Sequence, residues 1–159
     1  MITQLTNDRS ITSLADSNLV ISALRCLETR LRYGGELLTR SRDVCAFLQL
    51  HLAEEKNEVF AVLFLDSRHR LLAFEKLFYG TINEATVYPR RIVQKVLEHN
   101  AAAILLAHNH PSGECEPSAA DREITRVLRT ILNIIDVRLL DHVIVSCPNT
   151  YSFAEYGLL

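Results

Sequence analysis

Between Leu105 and Thr125 the chain reads LLAHNHPSGECEPSAADREIT, which gathers two histidines, a serine and an aspartate at suggestive spacings. His108 and His110 close an apolar run. In an extended strand, residues two apart project to the same side. Pro111 favours extended backbone at His110. Both imidazoles are therefore expected to aim at one point, with Asn109 facing the other way. Ser118 and Asp121 fall in the first turn of the next expected helix, where positions i and i+3 share a face. If that helix begins beside the strand end, the Asp121 carboxylate closes on the two imidazoles. Two His and one carboxylate, with a position left to water, is the donor set of a catalytic Zn2+ site, whereas structural zinc sites use four protein ligands.

Hydrolysis at such a centre needs a base for the activated water and a donor for the oxygen that becomes negative. Glu58 is the candidate base, because it opens an apolar strand where an acidic residue has little packing reason to be. Glu54 and Glu55 lie close by, and a strand-opening Glu is often merely solvated. Ser118 is the candidate oxyanion donor, although Ser118-x-x-Asp121 also reads as a capping box. A His-x-His pair alone also occurs at polar strand ends without a metal, so the full set carries the expectation. Cys115 sits between the ligand candidates as an exposed thiol. Asp141-His142 is either a supporting pair for the metal or a buried structural pair, and neither residue is taken as a ligand.

These residues need elements to position them. Ser17 to Leu31 has helical spacing, and a second helix starts at Ser41 with an apolar stripe of Val44, Phe47, Leu48 and Leu52. VFAVLFLD and LLAFEKLF flank the turn DSRHR as a hairpin. Pro89 opens a helix with an apolar face of Ile92, Val93, Val96 and Leu97. AAAILLA reads as a strand buried on both faces. A helix from near Pro117 carries Ile124, Val127, Leu128, Ile131 and Ile135, and VRLLDHVIV and TYSFAEY are the last strand candidates. After the N-terminal helices the order is β-β-α-β-α-β-β, an α/β chain with a mixed sheet flanked by helices. The Gly34-Gly35 pair marks the one interior boundary.

The 159 residues suit one domain with a core of its own. At 48% apolar and 23% charged residues, the composition is that of an ordinary globular protein. A net charge of −2 gives no global field that attracts nucleic acid. The N-terminus has no secretory pattern, no apolar run reaches membrane length, and the four scattered cysteines suit a reducing, cytoplasmic setting. Five arginines against two glutamates between Arg25 and Arg42 leave a nucleic-acid contact open, with a solvated helix face as the plainer reading.

Glu58, then His108-x-His110, seven residues, Ser118, two residues and Asp121 resembles the JAMM signature of the JAB/MPN metalloprotease superfamily. GTINEATVYPRRIVQKVLEHNAAAILLAHNHPSGECEPSAADREIT, with the later LLDHVIV, resembles the RadC branch of bacterial JAB-domain proteins. The resemblance covers about Thr39 to Leu159, so residues 39–159 are expected to form the domain and 1–38 an N-terminal helical extension. It implies the JAB/MPN fold with cytidine-deaminase-like α-β-α layering. It also implies zinc on His108, His110 and Asp121, and cleavage of peptide or isopeptide bonds in a protein or peptide substrate. Full-length RadC proteins carry a helix-hairpin-helix module for which the first 38 or so residues are too few. The chain thus resembles the short form of prophages and mobile islands. The alternative is a DNA-associated accessory protein of such an element, with a structural or vestigial metal site.

Overall fold

The structure, a computed structural model, describes residues 8–33, 41–80 and 86–159. Its elements run α1 (Asp8–Tyr33), α2 (Ser41–Leu52), β1 (Val59–Leu65), β2 (Leu71–Tyr79), α3 (Pro89–Glu98), β3 (Ala103–Asn109), α4 (Ala119–Ile134), β4 (Arg138–Ser146) and β5 (Asn149–Ser152). The expected β-β-α-β-α-β-β order is present. Helix α1 extends past Ser17 and Leu31 at both ends, and β5 stops at Ser152, so the second half of TYSFAEY is turn rather than strand. The boundary read at Gly34-Gly35 lies outside the described residues.

The five strands form one mixed sheet in the order β2-β1-β3-β4-β5. β1 pairs antiparallel with β2 and with β3, β3 runs parallel to β4, and β5 returns antiparallel on β4. Helix α4 is the crossover that the parallel β3–β4 pair requires. β1 and β3 are buried along their whole length, as strands covered on both faces must be.

Strand alternation sorts the side chains into two layers. Val59, Ala61, Leu63 and Leu65 of β1, with Ala103, Leu105 and Ala107 of β3, pack against Val44, Phe47, Leu48 and Leu52 of α2 and Leu31 of α1. Phe60, Val62 and Phe64, with Ile104 and Leu106, pack against Ile92 and Val96 of α3 and Leu128 and Leu132 of α4. This is a mixed α/β fold with the expected α-β-α layering. Leu97, expected on the buried face of α3, is instead 65% exposed, because Ile92 and Val96 face the sheet.

β4 contains one irregularity with consequences for the site. Ile104 pairs with Leu139, but Leu105 pairs with Asp141, so β4 carries one extra residue at this point. An extra residue reverses the facing of everything after it. Leu139 packs in the α3/α4 layer and Leu140 in the α1/α2 layer. After the slip, Val143 returns to the α1/α2 layer and His142 pairs with Leu106 on the α3/α4 side. Among the described residues, no helix is long and apolar enough to cross a membrane.

Leu63 lies at the centre of the sheet with no exposure. Leu63→Ala is expected to cost about 2–5 kcal/mol, read as a lower urea midpoint at unchanged slope.

Candidate metal centre

His108 is the last residue of β3 on the α3/α4 side and is fully buried, while His110 follows directly after the strand ends at Asn109, its amide donating to Val145 O at 2.9 Å. Pro111 and Gly113 then turn the chain away. Gly113 has φ +88, a left-handed conformation that glycine adopts without strain, and its carbonyl accepts from Ser146 Oγ at 2.6 Å. The loop is thereby tied back to the end of β4 before α4 begins.

Ser118 caps α4. Its hydroxyl accepts from Asp121 N at 3.1 Å, and Asp121 Oδ2 accepts from Ser118 N at 2.8 Å and Ser118 Oγ at 2.6 Å. This is the capping box, with Asp as its acid. The single hydroxyl proton of Ser118 is thus directed at Asp121. The cap leaves Asp121 Oδ1 turned towards β3, 3.2 Å from His108 Nε2, and Oδ2 lies 3.6 Å from His110 Nε2. The two Nε2 atoms are 2.9 Å apart. His108, His110 and Asp121 thus form one cluster able to hold a metal ion, and no other such cluster occurs among the described residues.

Whether these donors suit a cation follows from their protons and spacing. His110 Nδ1 lies 2.7 Å from the Glu114 carbonyl, which only accepts, so Nδ1 carries the proton and Nε2 of a neutral ring presents a lone pair. His108 Nδ1 is engaged by His142 Nε2 at 2.9 Å, leaving its Nε2 for the cluster. Two ring nitrogens facing each other at 2.9 Å attract only through a proton or a cation between them. Tetrahedral zinc with bonds of roughly 2.0–2.1 Å sets its ligand atoms about 3.3 Å apart. The observed 2.9 Å between the nitrogens, 3.2 Å from His108 to Oδ1 and 3.6 Å from His110 to Oδ2 lie on either side of that spacing, the last two through different oxygens of Asp121. The residues fit the ion.

The electrostatics agree. Burial would raise the Asp121 carboxyl, but its contacts with the His108 and His110 imidazoles outweigh it and hold the group well below the usual carboxylate range. The hydrogen bond to Asp121 raises the His110 imidazole despite its half-burial, with help from the Glu114 carbonyl and the charges of Asp121 and Glu58. The cluster therefore attracts positive charge.

Glu58 stands at the mouth of β1, half-buried, and lines a cavity of about 610 Å³ together with His110, Ser118 and Asp121. That volume is within the range of about 300–1,000 Å³ typical of small-molecule and cofactor sites. Of its neighbours, Glu54 is exposed, and Glu55 forms an ion pair with Lys76 at 2.5 Å. The cavity has an apolar wall of Phe60, Val87 and Ile124, and its other carboxylates are Glu114 and Glu116. No Lys or Arg is among the described residues that line it. Cys115 is half-buried and is not one of the lining residues.

Two participants escape a reading of local spacing. Asn109, facing away from the imidazoles as expected, accepts from Val59 N at 2.7 Å and donates to the carbonyls of Glu55 and Asn57 at 3.2 and 3.0 Å. It therefore pins the backbone on both sides of Glu58. The available signal is a polar residue on a strand face otherwise made of Ala103, Leu105 and Ala107. Thr125 is the second, and of the Asp141-His142 pair read from the sequence it is His142 that lies beside His108, 2.9 Å from its Nδ1. His142 is fully buried and its burial pushes the imidazole well below its ordinary value, whereas Asp141 faces away and binds Ser152 Oγ and the amides of His142 and Ala154. In the N-terminal arginine run, Arg32 is occupied by Glu28 and the Leu72 carbonyl, Arg25 and Arg30 are exposed, and Arg40 lies outside the described residues.

The RadC-like JAB domain family model matches residues 38–158. The chain is 47% identical over 144 residues to UPF0758 protein YkfG of Escherichia coli (strain K12), covering 91% of each. It is 58% identical over 113 residues to a UPF0758 protein of Variovorax paradoxus (strain S110), with 71% of this chain and 50% of that one aligned. A UPF0758 protein of Coxiella burnetii (strain Dugway 5J108-111) is 55% identical over 135 residues, which are 85% of this chain and 60% of that one. The chain spans about half the length of the Variovorax relative.

Removal of the Asn109 side chain leaves three backbone groups beside Glu58 without their partner. Asn109→Ala is expected to destabilise the protein by about 1–3 kcal/mol, measured by chemical denaturation.

Proposed function

The chain belongs to the RadC-like JAB domain family, and on that premise we propose that it is a zinc-dependent hydrolase of the JAMM type that cuts a peptide or isopeptide bond. The observation that carries this reading is the convergence of His108 Nε2, His110 Nε2 and an Asp121 oxygen beside a cavity that Glu58 also lines. A bound zinc ion supplies a Lewis acid there and brings the pKa of a water towards about 7.

The chain's own residues supply the rest. Glu58, held by a backbone segment that Asn109 clamps, takes the proton of the attacking water and passes it to the departing amine. Ser118 stabilises the oxygen that gains charge, a role that requires its hydroxyl proton to leave Asp121 Oδ2 for the substrate. Phe60, Val87 and Ile124 give the cavity a wall that accepts apolar side chains.

The charge of the cavity favours an acyl substrate over a polyanion. Glu58, Glu114, Glu116 and Asp121 line it, so a phosphodiester backbone would meet four carboxylates, whereas a neutral or cationic peptide meets none of its own sign. A protein or peptide substrate in the cytoplasm, where free thiols such as those of Cys26, Cys45, Cys115 and Cys147 stay reduced, accords with this.

The test pairs metal content with one substitution. Purified protein is expected to hold about one zinc per chain, as an open three-ligand site predicts. Glu58→Gln is expected to keep that zinc and to lose about 10²–10⁴-fold in hydrolysis of a fluorogenic peptide pool. Protein that takes up no zinc, or a Glu58→Gln variant as active as wild type, would overturn the proposal.

A further inference from the structure

The strongest unexplained feature is a buried chain of polar contacts behind His108. His108 Nδ1 meets His142 Nε2 at 2.9 Å, His142 Nδ1 meets Thr125 Oγ1 at 2.6 Å, and Thr125 Oγ1 meets the backbone carbonyl of Asp121 at 2.5 Å. His108, Thr125 and His142 are all at most 2% exposed. Buried polar groups are costly unless each is matched, so a chain with every member matched has a direction that can be deduced.

The Asp121 carbonyl can only accept, so the single hydroxyl proton of Thr125 goes to it. Thr125 Oγ1 must then accept from His142, which places a proton on His142 Nδ1. His142 is packed against Phe60 and Phe153, with ring centroids 5.5 and 4.8 Å away, surroundings that disfavour a charged ring. A neutral imidazole has one N–H, so His142 Nε2 accepts, and the proton of that bond belongs to His108 Nδ1. His108 has then used its only proton, and its Nε2 turns an unshared pair towards His110 and Asp121.

We infer that Thr125 and His142 are positioning residues of the metal centre, a two-membered relay that locks His108 in the ligating tautomer. The inference rests on the proposed metal site. His110 obtains the same tautomer from a carbonyl directly, that of Glu114. His108, inside the sheet layer, obtains it from a neighbouring strand, and only the extra residue in β4 brings His142 to the required face. The relay ends on the main chain of Asp121, the residue whose carboxylate is the third donor. Asp121 is thereby linked to His108 twice, directly at its carboxylate and through the relay at its carbonyl. Partners of this kind, one shell beyond the ligands, are worth roughly 10–100-fold in metal affinity.

A packing role and a relay role make different predictions for variants of similar shape. Thr125→Val keeps the volume and removes both hydrogen bonds, Thr125→Ser keeps both, and His142→Phe keeps a ring against Phe60 and Phe153. Zinc affinity, measured by competition with a chromogenic chelator, is expected to fall about 10–100-fold in Thr125→Val and His142→Phe and to stay near wild type in Thr125→Ser. Nitrogen-15 spectra of the zinc-loaded wild type are expected to show protons on Nδ1 of both His108 and His142 and none on Nε2 of either. The spectra decide the matter if a variant does not fold. Equal zinc affinity in wild type and Thr125→Val, or a proton on His142 Nε2, overturns the relay and leaves the hydrolase reading standing. A wild type that binds no zinc overturns the hydrolase reading and takes the relay with it.

Discussion

Asp121 Oδ2 takes hydrogen bonds from the amide and hydroxyl of Ser118, while Oδ1 lies 3.2 Å from His108 Nε2. One carboxylate therefore decides both where α4 begins and how close that helix stands to the end of β3. Burial alone would favour its neutral form, yet the two imidazoles keep it charged. The energetic asymmetry of buried charge makes this contact demanding: each member is tolerable only while the others are present. Most of what surrounds it, from the Gly113 turn to the loop tether on Ser146, serves to keep those three side chains in register.

The sheet supplies the second half of the arrangement. Alternation along β3 gives Ala103, Leu105 and Ala107 to the α1/α2 layer and Ile104, Leu106 and His108 to the α3/α4 layer, the one from which Asp121 descends. Asn109 is left on the opposite side, and it steadies the Glu58 segment through three backbone contacts. A single strand thus presents ligands on one face and a clamp for the candidate base on the other. The compactness of the centre follows from a period of two.

What could be read from the sequence was whatever depends on neighbours along the chain. The strand spacing of His108 and His110 and the cap spacing of Ser118 and Asp121 are rules of two and three residues, and both are present in the structure. The choice among Glu54, Glu55 and Glu58 is of another kind, since it depends on Lys76 of the adjacent strand occupying Glu55. Thr125 and His142 meet across 17 residues, and His142 and His108 across 34, so no local pattern links them. Leu97 falls outside the buried face of α3 that its spacing suggests, because the orientation of the helix is set by the sheet, where Ile92 and Val96 already fill the space.

The slip between Leu139 and Asp141 bears on which changes such a chain can survive over evolutionary time. Asp141 and His142 are adjacent and so face opposite compartments by strand alternation, and the extra residue sets which of the two stands behind His108. Losing one position between Asp141 and Val145 would break the alternation that keeps His142 behind His108 while the Val145 carbonyl receives the amide of His110. Side chains there can drift while the count of residues cannot, so gaps in this strand should be rarer than substitutions.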